Sequence, residues 1–183
     1  GANKIDMFAF FPAQSFGMAL TTFVGQNIGA GKMHRVREGL RATMLMSVLC
    51  GIGAMVLVLT CGPNMMHLFS QEAAVVEAGM DYLRPVMYCY LLFAIMNTVL
   101  SVLRGAGDMV FPMITSLLSL WIIRLPMAYL FSYWFGKEYI FFSYGGGWLI
   151  GMTMAIIYYF TGRWKKKAVV SKESEEGLQE KYE

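Results

Sequence analysis

Five apolar stretches dominate this sequence, and each is long enough to cross a lipid bilayer. They cover approximately residues Met7–Ile28, Ala42–Phe69, Pro85–Leu103, Met109–Phe135 and Tyr139–Gly162. About 20 mostly apolar residues span ~30 Å of hydrocarbon as an α-helix. Only helices and closed barrels satisfy their backbone hydrogen bonds inside lipid, and these stretches far exceed the ~10 residues of a barrel strand. The sequence predicts an all-α, polytopic membrane protein with five transmembrane helices.

The balance of charged and apolar residues supports this class. Charged residues make up 15% of the chain, whereas a soluble domain carries about 25%. So few charges could not cover five long apolar stretches in water. The first residue is Gly1, and the first span begins almost at once. We therefore expect the chain to be the C-terminal part of a longer protein.

Basic residues are concentrated at alternate ends of the predicted spans. Nine Lys and Arg side chains follow the first, third and fifth spans, and three lie at the opposite ends. Since the positive-rich side faces the cytoplasm, we expect the C-terminus inside the cell and a plasma-membrane location. The basic runs adjoin membrane spans, so nucleic acid is not an expected partner. Residues 168–183 lack an apolar face, and we expect a disordered, polar, cytoplasmic tail.

Motifs of enzymes and metal sites are not found in the sequence. The three cysteines, Cys50, Cys61 and Cys89, form no C-x-x-C pair, and the two histidines stand alone. No Asp or Glu lies inside a predicted span, so paired-carboxylate catalysis has no support. We expect neither an enzyme nor a protein with a bound metal or cofactor.

Polar residues inside the spans are the best candidates for function. Polar side chains in a membrane face the bundle interior or a wet cavity, and each either joins helices or lines a path. Both alternatives stay open for each residue taken singly. The candidates for a substrate cavity are Gln14, Met18, Thr21, Tyr90, Asn97 and Thr115.

Small residues at helical spacing are structural candidates. Gly25 and Gly29 form a G-x-x-x-G pair, Gly31 closes the first span, and a second small-residue stripe comprises Gly147, Gly151 and Ala155. Such stripes let helices approach closely.

Arg124 lies two residues before Pro126 in the outer third of the fourth span. Its side chain could reach the membrane interface, bond carbonyls freed by Pro126, or contact substrate.

Three sequence segments together resemble the multidrug and toxic compound extrusion (MATE) family. They are Phe11-Pro12-Ala13-Gln14 continuing to the segment Val24–Gly31, Leu103–Asp108 followed by Pro112, and Trp121–Tyr129 with Ile123-Arg124-Leu125-Pro126 at its centre. Their order and spacing resemble the last five of the family's twelve helices. The resemblance covers residues 1–167.

The resemblance implies that residues 1–167 form most of the C-terminal lobe of a two-lobe transporter. Such proteins exchange Na+ or H+ for drug-like, often cationic, organic molecules. Some members carry an embedded acid in the helix that corresponds to the third span, and here that span has none. We therefore expect the coupling ion to bind in the preceding part of the polypeptide, including the N-terminal lobe. A flippase for lipid-linked or polysaccharide cargo and a non-transporting membrane scaffold are the alternatives.

Overall fold

The structure is a bundle of membrane-length helices. The computed structural model describes residues 2–68, 71–134, 136, 140–166 and 168, with the backbone alone described for residues 2–5. The helices are α1 Ala2–Gly29, α2 Met33–His67, α3 Ala73–Gly105, α4 Val110–Leu117, α5 Arg124–Trp134 and α6 Phe142–Thr161. A π-helical segment, Leu118–Ile123, joins α4 to α5 in one continuous helical rod. No strand occurs within the described ranges, which confirms the all-α prediction.

Four helical segments are long and apolar enough to cross a membrane. They are Asp6–Gly29, Met33–His67, Ala73–Gly105 and Val110–Trp134. Helix α6 is the fifth membrane-length segment, because α4 and α5 form one rod. Its 20 residues are also enough to cross a membrane. The chain is therefore a multi-pass membrane protein. The predicted tail lies outside the described residues except for Ala168, as do the predicted span ends at residues 69, 135 and 139.

Helix α3 is much longer than the span predicted from hydropathy. It begins at Ala73, so the segment expected to link two spans is itself helical. Pro85, expected at the start of a span, lies inside this helix. At 1.5 Å per residue, its 33 residues extend about 50 Å. Inside a helix bundle a proline is tolerated because neighbouring groups can satisfy the carbonyl it leaves free.

Helix α3 also forms the centre of the bundle, with α1, α2 and α6 packed around it. Its buried side chains contribute to three apolar clusters. One cluster includes Leu100 and Leu103 together with Val24, Val36 and Trp164. We call this end of the bundle the Arg37 end. At the opposite end, the Asp6 end, Leu83 and Met87 of α3 pack with Ala9 of α1.

Glycine allows α1 to approach α3, but at positions other than those predicted. A Cβ on Gly105 would lie 2.5 Å from the carbonyl oxygen of Thr21, and one on Gly17 would lie 2.6 Å from Asn97 Nδ2. By contrast, a Cβ on Gly29 meets nothing within 4 Å, and one on Gly25 makes an ordinary 3.4 Å contact. Within the described part of the chain, the tightest contacts between α1 and α3 are thus at Gly17 and Gly105, and the close-packing role of the Gly25–Gly29 pair stays a prediction.

Gly31 ends α1 as predicted, because it adopts a left-handed conformation with φ of 71°. Its N–H donates to Ile28 O at 2.9 Å, and the next N–H, of Lys32, donates to Asn27 O at 2.7 Å. These bonds satisfy carbonyls at the end of α1. A residue with a Cβ would be strained in this conformation.

The second small-residue stripe packs as predicted, against the π-helical segment. A Cβ on Gly147 would lie 2.9 Å from Ser119 O, and one on Gly151 would lie 2.5 Å from Met96 Sδ. Ser119 Oγ donates to the carbonyl oxygen of Gly147 at 2.6 Å. Ala155 is fully buried. The stripe thus joins α6 to the continuous rod and to α3.

Replacing Gly105 with Ala should destabilise the bundle, because the methyl group would collide with the α1 backbone. Overpacking of this kind costs about 1–3 kcal/mol, which would lower the Tm in detergent by about 2–4 °C per kcal/mol. The matched control is Gly53→Ala on α2, where a Cβ meets nothing within 4 Å. That control should keep or slightly raise the Tm through helix propensity. Equal Tm values for the two variants, measured by circular dichroism, would contradict this packing.

Candidate functional site

Two of the predicted cavity residues, Thr21 and Asn97, join α1 to α3. Asn97 is 4% exposed, and its Nδ2 donates to the carbonyl oxygen of Ala13 at 3.0 Å. Thr21 Oγ1 lies 2.9 Å from Gly17 O and 3.2 Å from Ser101 O, so it bonds within α1 and across to α3. These contacts favour the helix-joining alternative for both residues.

Tyr90 is packed inside an aromatic cluster between the same two helices. Its ring lies 4.9 Å from that of Phe10 at an interplanar angle of 89°, and Phe93 lies against Phe10 at 4.8 Å. Trp148 of α6 completes the cluster at 5.6 Å from Phe10. Edge-to-face pairs of this kind add about 0.5–1.5 kcal/mol beyond burial. Tyr90 is 1% exposed, so it does not line an open surface here.

Thr115 is buried in α4 without satisfying its hydroxyl group. It has no exposed surface, and within the described structure Oγ1 has no hydrogen-bond partner. An unsatisfied buried polar group costs about 1–3 kcal/mol. Thr115 is therefore enclosed within the bundle and does not lie on an open surface of the described structure.

Gln14 and Met18 lie on the exposed face of α1. Met18 is 72% exposed, and Gln14 is also exposed. The same side of the helix exposes further polar side chains, Ser15, Thr22 and Gln26, and it also exposes Phe8 and Phe11 nearer the Asp6 end. Polar side chains avoid hydrocarbon, so this face is suited to water or to another protein surface. We call it the polar face of α1.

The exposed face of α2 has a different composition. Leu45, Leu49, Ile52 and Val56 follow one another at helical spacing and are 40–61% exposed. A stripe of large aliphatic side chains of this kind is suited to lipid tails. The contrast between α1 and α2 distinguishes the two exposed sides of the bundle.

Asp6 is a partly buried carboxylate at the start of the first membrane-length segment, and the sequence did not single it out. The predicted span began at Met7, but α1 begins at Ala2 and the membrane-crossing segment includes Asp6. Asp6 Oδ2 accepts a hydrogen bond from Tyr82 Oη at 2.7 Å, while Oδ1 is buried without a partner in the described structure. Helical periodicity could have identified it, since Asp6 extends the buried row that continues at Ala9 and Ala13.

Arg124 lies near the Asp6 end and contacts an aromatic ring. Its guanidinium carbon is 3.5 Å from the centre of the Tyr144 ring, a cation–π geometry. Both side chains line a cavity of about 390 Å³ together with Trp121 and Phe141. The contact with Tyr144 adds an interaction to the three that the sequence left open for Arg124. Pro126 follows at the third position of α5.

A second buried carboxylate, Asp108, lies near the Arg37 end. It is 1% exposed, and its oxygens accept bonds from Tyr158 Oη at 2.6 Å and from the Phe111 N–H at 3.4 Å. The rings of Phe111 and Tyr158 stack with centroids 3.8 Å apart. These contacts hold the turn between α3 and α4 against α6, so Asp108 has a structural role.

Replacing Thr115 with Val should leave stability unchanged or raise it by about 1 kcal/mol, because the hydroxyl group has no partner to lose. The matched control is Thr21→Val, which removes the one O–H donor shared between Gly17 O and Ser101 O and should lower the free energy of unfolding by about 1 kcal/mol. Thermal unfolding in detergent measures both. A larger loss for Thr115→Val than for Thr21→Val would show that Thr115 has an essential polar partner.

Comparison with known proteins identifies the family of this chain. The MatE family model matches residues 1–130. Probable multidrug resistance protein YpnP of Bacillus subtilis is 30% identical over 163 residues, which are 89% of this chain and 37% of that protein. Probable multidrug resistance protein NorM of Thermotoga maritima is 25% identical over 178 residues, 93% of this chain and 37% of that protein.

The similarity extends to a human protein. Multidrug and toxin extrusion protein 1 of Homo sapiens is 23% identical over 125 residues, 68% of this chain and 22% of that protein. The chain thus spans well under half the length of these relatives. No solved structure gives a significant match. Since the family model covers most of the chain, and the bundle has the helical, membrane-crossing architecture that the resemblance implied, the chain belongs to the MatE family of multidrug and toxic compound extrusion proteins.

Proposed function

We propose that this chain contributes one wall of the transport path of a multidrug efflux transporter. The transporter is a cation-coupled antiporter that exchanges Na+ or H+ for drug-like, often cationic, organic molecules at the cell membrane. Membership of the MatE family and the names of the relatives support this proposal. The partners are the lipid bilayer, the organic substrates and an N-terminal lobe of the same polypeptide.

The observation that carries the proposal is the polar face of α1. A helix within the membrane that exposes Gln14, Ser15 and Gln26 favours water or protein beside it. The facing lobe of a two-lobe transporter, across a wet cavity, would supply both. Gln14 and Met18 then contact substrate, with Met18 supplying a flexible, polarizable surface. Thr21, Tyr90, Asn97 and Thr115 support this wall from within the bundle.

The proposed orientation places the Arg37 end in the cytoplasm and the Asp6 end outside. The bias of Lys and Arg toward the Arg37 end supports it. The helical turn at residues 163–166, which carries Arg163, Lys165 and Lys166, lies at that end. The C-terminus is then cytoplasmic.

Substitution of Gln14 tests the wall of the transport path. In the complete polypeptide that carries this chain, Gln14→Leu should change the inhibitory concentration of some drugs at least about 4-fold in an efflux-deficient cell. The reason is that cavity contacts contribute about 1–3 kcal/mol to discrimination between substrates. The control is Leu49→Ala on the aliphatic face of α2, which should leave the profile within about 2-fold, at matched expression. Equal changes for both variants would remove the polar face of α1 from the path.

We propose further that Asp6 participates in cation coupling, in a site completed by residues outside this chain. Its unpartnered, buried Oδ1 is suited to hold a proton or to ligate Na+. This refines the expectation that the coupling ion binds in the preceding part of the polypeptide. Asp6 lies before the predicted first span, close to where that part would join.

Replacing Asp6 with Asn should abolish the dependence of drug transport on a Na+ or pH gradient, because the amide cannot be ionised. The amide oxygen can still accept the bond from Tyr82, so the fold should persist. The control is Asp81→Asn, an exposed position on α3 near the same end. Gradient-driven efflux from proteoliposomes measures both. Coupled transport of wild-type magnitude in the Asp6 variant would exclude this carboxylate from coupling.

A further inference from the structure

A basic cavity lies between α2 and the end of α6 at the Arg37 end. Its volume is about 360 Å³, and its lining combines three cationic with three apolar or aromatic side chains. The lining residues are Arg37, Leu40, Arg41, Tyr159, Phe160 and Lys165. We call it the basic pocket. None of its lining residues belongs to α1, so the proposed transport function does not use it.

The local structure explains why these cations converge. Arg37 and Arg41 are four residues apart on α2 and therefore lie on the same side of that helix. Gly162 follows the last residue of α6 and ends the helix, because it adopts a left-handed conformation with φ of 68°. Trp164 then becomes buried and donates from Nε1 to Tyr159 O at 3.0 Å. Lys165 follows, with its Nζ 5.6 Å from the Trp164 ring centre.

The pocket adjoins the start of the apolar run of α2, the position at which the headgroup region is expected. Helix α2 has 35 residues and extends about 52 Å, which exceeds the ~30 Å hydrocarbon core. The long apolar run begins at Ala42, so Arg37 and Arg41 lie in the turn or two of α2 that precede it. Phe160, which is 79% exposed, offers an apolar surface beside the cations.

The charges of the pocket are not balanced within its lining. Among the described residues that line it, three carry positive charge and none is a carboxylate. Like charges gathered in one cavity repel one another, and an anion between them would remove that repulsion. Basic pockets between transmembrane helices on the cytoplasmic side bind phosphate-containing lipid headgroups.

We propose that the basic pocket binds the phosphate group of an anionic phospholipid from the adjacent leaflet. Arg37 and Arg41 contact the phosphate oxygens through their planar guanidinium groups, and Lys165 adds a third positive charge. Leu40 and Phe160 contact the first carbons of the acyl chains. The apolar side of the pocket favours a lipid over a free phosphate ion, which would leave these two side chains uncovered. Bound lipid would hold α2 to the end of α6.

Lipid retention measured by native mass spectrometry tests this proposal. The complete polypeptide that carries this chain is purified in detergent and titrated with phosphatidylglycerol, phosphatidylcholine or inorganic phosphate. We expect one phosphatidylglycerol to bind in preference to phosphatidylcholine. Arg37→Gln combined with Arg41→Gln should weaken that binding about 10-fold or more, since each basic side chain contributes to attraction of an anionic lipid.

A matched variant separates the pocket from the general charge of the Arg37 end. Lys32→Gln combined with Arg35→Gln removes the same charge from exposed positions outside the pocket and should change binding less than about 2-fold. Arg37→Lys with Arg41→Lys keeps the charge but removes the planar guanidinium groups, and its affinity should lie between those of the wild type and the double Gln variant. Should the double Gln variant not fold, Lys165→Gln alone should still weaken binding about 3-fold or more.

Several results would overturn the proposal. Equal losses in the two double Gln variants would indicate nonspecific attraction. Inorganic phosphate that displaces phosphatidylglycerol at equal concentration would assign the pocket to a soluble anion. A chain truncated after Ala168 that binds phosphatidylglycerol more tightly than the intact chain would assign it to the Glu-rich C-terminal segment.

Discussion

The structure depends on satisfying polar groups inside the membrane without water. This constraint is strongest for helix α3, which is the most buried: 67% of its most apolar 18-residue segment is buried, against 17% of the corresponding segment of α2. Two of its hydroxyl groups donate to carbonyl oxygens four residues earlier in the same helix: Thr98 Oγ1 to Ala94 O at 2.8 Å and Ser101 Oγ to Asn97 O at 2.7 Å. Two of its side-chain donors reach directly to α1: Asn97 Nδ2 donates to Ala13 O at 3.0 Å and Tyr82 Oη donates to Asp6 Oδ2 at 2.7 Å. The other helices are arranged around this satisfied core.

Hydropathy predicted which parts of the chain are helical but not where the helices end. A helix continues past the hydrocarbon region wherever it finds partners, and hydropathy does not record those partners. Helix α1 thus extends back beyond Asp6, which bonds to Tyr82 on α3. The same limitation affected the glycines. Close approach at Gly17 and Gly105 arises where α1 and α3 happen to cross, and spacing along one helix cannot identify the crossing point.

The candidate residues illustrate the same division between one helix and its neighbours. Gln14, Met18 and Thr21 on α1 were all predicted as cavity candidates, yet Thr21 turns inward to Ser101 while Gln14 and Met18 stay exposed. Residues three or four apart lie next to each other on a helix surface, so spacing alone does not show which of them faces the neighbouring helix. The α6 stripe was predicted more successfully. Gly147, Gly151 and Ala155 carry no polar side-chain group, so close packing was the one role that the sequence offered for them.

The two ends of the bundle carry different arrangements of charged groups. The Asp6 end has a buried carboxylate and an arginine that contacts Tyr144. The Arg37 end has a structural carboxylate at Asp108 and the basic pocket at its periphery. Between them, the polar face of α1 is the exposed surface in the described bundle that combines membrane depth with a row of polar side chains. The proposed transport path follows this face.

The most direct measurement of this account is the accessibility of a nitroxide spin label at position 14 in proteoliposomes. The complete polypeptide that carries this chain, with its native cysteines replaced, would be labelled at Gln14→Cys and separately at Leu49→Cys. The account predicts that a water-soluble nickel complex relaxes the label at position 14, whereas dissolved oxygen, concentrated in lipid, relaxes the label at position 49. A label at position 14 that responds to oxygen alone would place the polar face of α1 in lipid and contradict the proposed path.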